Sequence, residues 1–379
     1  MSVFAAVMTG LGAGAISTIG VCGESAETII KKIFNSTSKK DFPDELGVCV
    51  GVIADGDETI DQVTVGCEGE NNFAIHCHGN PLIVEMIMQL LEKNGAKLVT
   101  SEKLLTEISD KSLNAIEIEA KLRLSQAKTL EASKLICNQI EGGLNKAVLS
   151  WQEKSLETIK SEAKQILEVS LAARLIIDGC GVVLIGPANS GKSTLLNCLS
   201  GREKAIVTEI KGTTRDYVTG SCTAGPVMLE LVDTAGLDEA LKSAIDKAAQ
   251  EKALQLLEQA DLVMMVLDGS EQEEQIDKKV AEKIAGKKII TVLNKSDLPS
   301  KLDKSKFANA VEISAKDGSG IEDLKGKVLE LLGVGDFDLG QAIAFTDRQE
   351  KLLAQLCDAE TDKQGQSITT ELLNGKVCV

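Results

Sequence analysis

Eight consecutive residues, Gly186-Pro-Ala-Asn-Ser-Gly-Lys-Ser193, constrain this 379-residue chain more than any other stretch. They fit G-x-x-x-x-G-K-S and lie between an apolar run at 181–185 and a helical run at 194–199. A strand that ends in a glycine-rich turn and opens a helix aims backbone N–H groups and a helix N-terminus at one point, which is a phosphate site. Lys192 is placed to reach the outer phosphates of a nucleotide, and the Ser193 hydroxyl to ligate Mg²⁺. Asn189, Ser190, Gly191 and Thr194 complete the expected cradle.

Short apolar runs at 181–185, 228–232, 262–267, 288–293 and 310–313 alternate with helical stretches. That order predicts a mostly parallel sheet with helices on both faces. Further stations follow the strands. Asp233-Thr-Ala-Gly236 places a carboxylate to support Mg²⁺ through water and the Gly236 N–H to sense a γ-phosphate; Thr234 and Ala235 lie between them. Asn294-Lys-Ser-Asp297 supplies Lys295 and an Asp297 carboxylate that can accept from both guanine N1–H and N2–H₂, a donor pair adenine lacks. Ser314-Ala-Lys316 offers the Ala315 N–H to guanine O6. Four stations in this order point to GTP on a Ras-like fold. Between the first two lies Gly212-Thr-Thr-Arg-Asp216, a switch segment in which Thr214 is the expected Mg²⁺ ligand. Leu237 follows the Asp-Thr-Ala-Gly run where a Ras-like enzyme has glutamine, so another group must orient the attacking water.

Fifty-seven acidic against 41 basic residues give a net charge of −16, so broad phosphate neutralisation along a nucleic acid is not expected. Aromatics are 2% of the chain, which argues against a base-stacking surface. The ten cysteines form no C-x-x-C pair and read as buried hydrophobes in a reducing cytoplasm. The opening 20 residues lack a basic n-region and no run of 18 apolar residues occurs, so neither a signal peptide nor a membrane span is expected.

The first hundred residues alternate apolar runs (14–21, 47–54, 72–76) with Gly and Asp turns, and 81–94 has helical periodicity. Residues 101–175 contain no proline and are rich in Ala, Leu, Glu, Lys and Gln, with Ile136, Ile140 and Leu144 at helical spacing, so a helical bundle is expected. Beyond 340 the composition is polar and helical, with a loop expected near 361–366. The division this predicts is a small α+β domain at 1–110, helical parts at 111–175 and 336–379, and a nucleotide-binding domain at 176–335 inserted between them. His76 and His78 flank Cys77; alternation puts the imidazoles on one strand face and the thiol on the other, more a pocket wall than a metal centre.

These motifs, in this order, resemble the MnmE (TrmE) family of tRNA modification GTPases. Ile75-His-Cys-His-Gly79 resembles the family's E-I-H-C-H-G-G segment, and Lys121-Leu-Arg-Leu-Ser-Gln-Ala127 its K-x-D-L-T-Q-A segment. The resemblance implies a homodimer whose G domains pair across their nucleotide faces. It implies K⁺ held by Asn189 with the backbone of a loop around Thr208, Ile210 and Thr213, doing the work of an arginine finger. It places a water-orienting acid downstream of the Asp-Thr-Ala-Gly run, best matched by Asp246. It also implies 5-formyl-tetrahydrofolate in the N-terminal domain, with Lys121 near it, and an FAD-containing partner resembling MnmG acting on the wobble uridine of tRNA. The family's early G-R-G-G…R pattern stands here as Gly12-Ala-Gly-Ala15…Gly20, without either arginine, the usual carboxylate clamp. Its G-E-D stretch reads Gly69-Glu-Asn71, and its F-C-I-G-K end reads Lys376-Val-Cys-Val379, where Cys378 is either a reactive thiol or an inert terminal residue. Two readings follow: an MnmE-type GTPase in tRNA modification, or a regulatory switch of the same fold that has lost folate binding and modification. An RNA-binding GTPase of the Era or Der kind ranks last, since the tail after 335 has no G-x-x-G loop in a basic setting.

Overall fold

The computed structural model describes residues 2–9, 14–38, 40–44, 46–108, 113–201, 218–233, 255–271, 282, 284–307, 309–375 and 377. The chain divides into two compact units, one of residues 1–126, 136–167 and 342–379, the other of 127–135 and 168–341.

The first unit holds a seven-stranded sheet in the order β3-β4-β5-β6-β2-β1-β7. Its strands are β1 Val3–Val7, β2 Ile16–Cys22, β3 Phe34–Ser36, β4 Val48–Asp55, β5 Glu58–Gly69, β6 Asn72–His78 and β7 Ala96–Leu98. Only β1 and β7 pair in parallel. Helices α1 Ala26–Ile33 and α2 Pro81–Lys93 belong to this unit, and Ile29, Ile30, Ile87 and Leu91 share one core with Ile19, Val21, Val65 and Ile75 of the strands. Leu104 of α3 Ser101–Ile108 packs with Ala6 and Cys22, which alternate with that core along β1 and β2. The sequence reading named β2, β4, β6 and α2 to within a few residues, but not β1, β5 or α1. Strand β5 carries exposed Glu58, Gln62 and Glu68 among its apolar residues, as suits a strand with one wet face, while Asp61 is buried.

Helices α4 Ala115–Leu124, α5 Leu130–Glu141, α6 Gly143–Ser150 and α7 Leu156–Asp178 follow, and α10 Asp347–Cys357 and α11 Asp362–Asn374 come after the nucleotide-binding unit. In the first unit, α4 meets α10 through a buried charge cluster. Glu119 is fully buried and accepts from Arg348 Nε at 2.5 Å, Arg348 Nη2 at 2.8 Å and Gln349 Nε2 at 2.7 Å. Arg348 also donates to the Glu371 and Leu372 carbonyls at the end of α11. The loop expected near 361–366 is corrected: only Thr361 stays outside the helix. Its hydroxyl accepts from the Gln364 N–H, and Gln364 Oε1 accepts from the Thr361 N–H, a capping box that starts α11 at Asp362. Thr361→Ala should lower stability by about 1 kcal/mol, read as a shift of the denaturation midpoint; no shift would show the cap to be idle.

The second unit holds a six-stranded sheet, β13-β12-β11-β8-β10-β9. Strands β8 Cys180–Ile185, β10 Val227–Asp233, β11 Leu262–Asp268, β12 Ile289–Asn294 and β13 Ala310–Glu312 are parallel, and β9 Val218–Ala224 runs antiparallel to β10. All seven residues of β11 are buried, the continuous apolar run of a central parallel strand. Helix α8 Lys192–Ser200 packs on β9 and β10, and α9 Ile321–Leu332 on β9, β12 and β13. The other face is covered by Leu257, Ala260, Ile284 and Leu302. The expected α/β class, with a mostly parallel sheet and helices on both faces, is the observed one.

Candidate nucleotide site

Parallel strands deliver their C-terminal ends to one edge of the sheet, where open α/β folds bind ligands. Here β8, β10, β11 and β12 end at Ile185, Asp233, Asp268 and Asn294, all at that edge. The expected stations were read from separate stretches of chain; the sheet order makes them neighbours.

The first loop owes its shape to three left-handed residues, Gly186 (φ 143°), Asn189 (φ 62°) and Gly191 (φ 95°). A Cβ on Gly186 would stand 2.0 Å from the Val266 carbonyl oxygen of the adjacent strand, and one on Gly191 would stand 2.2 Å from Asn294 Nδ2. Glycine is required at both for steric as well as conformational reasons. Asn189 is the only non-glycine of the three and is exposed. Lys192 is buried, and its Nζ donates to the Gly186 and Pro187 carbonyls at 2.5 and 3.0 Å.

Ser193 Oγ donates to Asp233 Oδ2 at 2.5 Å. Asp233 is 1% exposed, and its other carboxylate oxygen is buried without a hydrogen-bond partner among the described residues. An orphaned carboxylate oxygen beside a hydroxyl is a hard-oxygen donor set that suits Mg²⁺. Among the described residues the Ser190 hydroxyl is likewise buried without a partner, while Thr194 is exposed on α8.

Asn294 is 3% exposed and joins two loops. Its Nδ2 donates to the Ser190 carbonyl at 2.8 Å, and its Oδ1 accepts from the Ala315 N–H at 3.0 Å. The phosphate loop and the loop after β13 are therefore tied through one side chain. Lys295 is left-handed (φ 66°) and its Nζ lies 2.5 Å from Asp268 Oδ2. Asp297 and Lys316 are exposed, and Ser314 and Ala315 are buried. Asp268 and Ser270, which contact this group, were not among the expected site residues. Only the position of Asp268 at the end of an apolar run hinted at them.

Thr208, Ile210, Gly212, Thr213, Thr214, Thr234, Ala235, Gly236 and Asp246 lie outside the described residues, as does Cys378. Lys121 is exposed on α4 of the other unit. There His76 Nδ1 lies 3.0 Å from Thr18 Oγ1, and His78 Nδ1 2.7 Å from Asp61 Oδ1. Cys77 is buried, and burial, with Asp61 adding, pushes its thiol pKa up. Among the described residues no group of three or more His, Cys, Asp and Glu could hold a metal ion, and no helix is long and apolar enough to cross a membrane.

Known proteins match both units. The family described as 50S ribosome-binding GTPase matches residues 181–295, and that described as GTP-binding protein TrmE N-terminus matches 3–101. The tRNA modification GTPase MnmE of Lachnoclostridium phytofermentans is 30% identical, over 92% of this chain and 85% of its own. That of Flavobacterium psychrophilum is 30% identical over 95% and 88%, and that of Clostridioides difficile 28% over 92% and 85%. An N-terminal unit of the TrmE type and a GTPase unit in one chain, matched together along most of their length, place this GTP hydrolase in the MnmE (TrmE) family of tRNA modification GTPases.

Proposed function

We propose that this chain hydrolyses GTP to drive a tRNA-modification reaction, as a homodimer working with an FAD-containing partner of the MnmG kind on the wobble uridine. One observation carries the chemical part: the Asn294 side chain ties the phosphate loop to the Ala315 N–H while Ser193 meets the half-partnered Asp233 carboxylate. The arrangement suits a nucleotide whose phosphates and base are gripped together.

In this reading backbone N–H groups of residues 189–194 bind the phosphates, and Lys192 moves from the loop carbonyls to the outer phosphate oxygens. Ser193 and Thr214 would hold Mg²⁺, with Asp233 supporting it, and the ion would neutralise phosphate charge. Asn189, Thr208, Ile210 and Thr213 hold K⁺. A monovalent cation there supplies positive charge where the transferring phosphoryl group gains negative charge. Thr234, Ala235, Gly236 and Gly212 close over the γ-phosphate, and Asp246 orients the water. Lys295, Asp297, Ser314, Ala315 and Lys316 contact guanine.

The test is steady-state turnover of GTP and ATP in KCl and in NaCl, with mass measured on GDP and an aluminium fluoride mimic. GTP turnover should be at least tenfold faster in KCl, as a lost charge stabiliser of about 1.4 kcal/mol predicts, and the mass should be that of two chains on GDP and on the mimic alike. Equal rates in both salts would sink the potassium reading, and a preference for ATP the guanine reading.

The regulatory-switch reading has one observation in its favour. Strand β2, Ile16-Ser-Thr-Ile-Gly-Val-Cys22, carries no basic residue, so it offers a folate carboxylate no clamp. Without that clamp the strand gives the folate no charged hold, and no step is routed through that group. Calorimetry with 5-formyl-tetrahydrofolate separates the readings: stoichiometric micromolar binding removes the switch alternative.

A further inference from the structure

Strand β11 ends on a buried acid to which no role has been given. Asp268 is 8% exposed. It accepts from the Ser270 N–H at 2.9 Å and the Ser270 hydroxyl at 2.6 Å, and from Lys295 Nζ at 2.5 Å. Burial by itself would raise its pKa. Hydrogen bonds from Lys295 and Ser270, together with the lysine charge, outweigh that and hold the carboxyl below its usual range. The side chain is therefore ionised at neutral pH.

What it holds is a residue that needs holding. Lys295 has φ 66°, a conformation that costs a side-chain-bearing residue free energy and persists only where the surroundings impose it. Besides the ion pair, the Gly269 N–H donates to the Asn294 carbonyl at 2.8 Å, and the Lys301 N–H to the Gly269 carbonyl at 2.8 Å. A Cβ on Gly269 would come within 3.0 Å of the Asn294 oxygen, so the two loops lie backbone to backbone. The turn is closed by the Leu298 N–H on the Lys295 carbonyl at 2.9 Å, with Asp297 inside it. The pairing also limits what Lys295 does. With its charge matched by Asp268, its methylene stem is the part left to meet a ligand.

We infer that Asp268, held by Ser270, is a positioning residue for recognition of the nucleotide base: it fixes Lys295 in the left-handed conformation that presents Asp297. The inference rests on reading 294–297 as the guanine-binding segment. Ser270 and Lys295, which Asp268 holds, flank and belong to the base-binding segment, so its removal should act on base affinity more than on chemistry.

The experiment measures GDP binding by stopped flow and GTP turnover over a range of concentration, in the full chain. Asp268→Asn should raise the GDP Kd about tenfold through faster dissociation, the usual size for loss of a charge-assisted bond. KM for GTP should rise with it while kcat at saturation stays within about twofold. Ser270→Ala should act in the same direction by about threefold, since the carboxylate keeps its lysine. A folded Asp268→Asn with unchanged GDP Kd overturns the inference, and so does a fall in kcat at unchanged KM. If Asp268→Asn does not fold, Ser270→Ala decides by the same criteria. Asp297→Asn is the companion measurement. A change of preference from guanine to xanthine beside an unaltered Asp268→Asn overturns the inference alone; no change in base preference on Asp297→Asn overturns the guanine reading and the inference with it.

Discussion

Replacing Lys192 by alanine should lower single-turnover GTP hydrolysis by about 10²–10³-fold, the range seen when one preorganised donor to a developing charge is removed. The side chain is buried and its ammonium already lies on the Gly186 and Pro187 carbonyls, so it is confined to the mouth of the phosphate loop. A cation pre-positioned in this way loses little freedom on meeting the transferring phosphoryl group, and water cannot replace it at the same place. Its loss should spare the fold, because the loop is shaped by Gly186, Asn189 and Gly191 and tied by Asn294. Turnover within a factor of about ten of the parent, in a protein whose circular dichroism is unchanged, would contradict a transition-state role for Lys192.

The largest stability effect is expected in the other unit. Glu119→Ala should destabilise the unit that contains it by about 3–5 kcal/mol, because it leaves the guanidinium of Arg348 buried without its counter-charge. Arg348 is 11% exposed and, among the described residues, retains the Glu371 and Leu372 carbonyls. Glu119→Gln preserves the volume and one acceptor and should cost less. Chemical denaturation followed by far-ultraviolet circular dichroism gives both numbers. A loss under about 1 kcal/mol for Glu119→Ala would mean that the pair is neutral to stability, as replaceable buried ion pairs can be.

Much of the nucleotide-binding unit was legible because its signals are local. Central parallel strands are apolar at successive positions, so β8, β10, β11 and β12 could be placed within about two residues of their ends. Turn chemistry is local as well: the glycines of the phosphate loop answer to backbone conformation and to a carbonyl one strand away. Strand β9 and strand β5 were harder. Their polar, half-exposed residues carry a weaker pattern, and a partner strand defines them. The sequence around Thr361 reads as a loop because Thr, Asp, Gln and Gly favour turns and helix starts alike, and the reciprocal bond to Gln364 decides for the helix start.

What the amino-acid order determined alone was the class of fold and the kind of ligand, since hydrophobic period and glycine placement act over a few residues. Tertiary structure alone decided which polar groups meet. Asp268 reaches Lys295 across 27 positions, Asn294 reaches Ser190 across 104, and Glu119 reaches Arg348 across 229. No periodicity in a chain encodes such distances. They arise when parallel strands bring their ends to one edge and when packed helices bury a charge that must find its opposite.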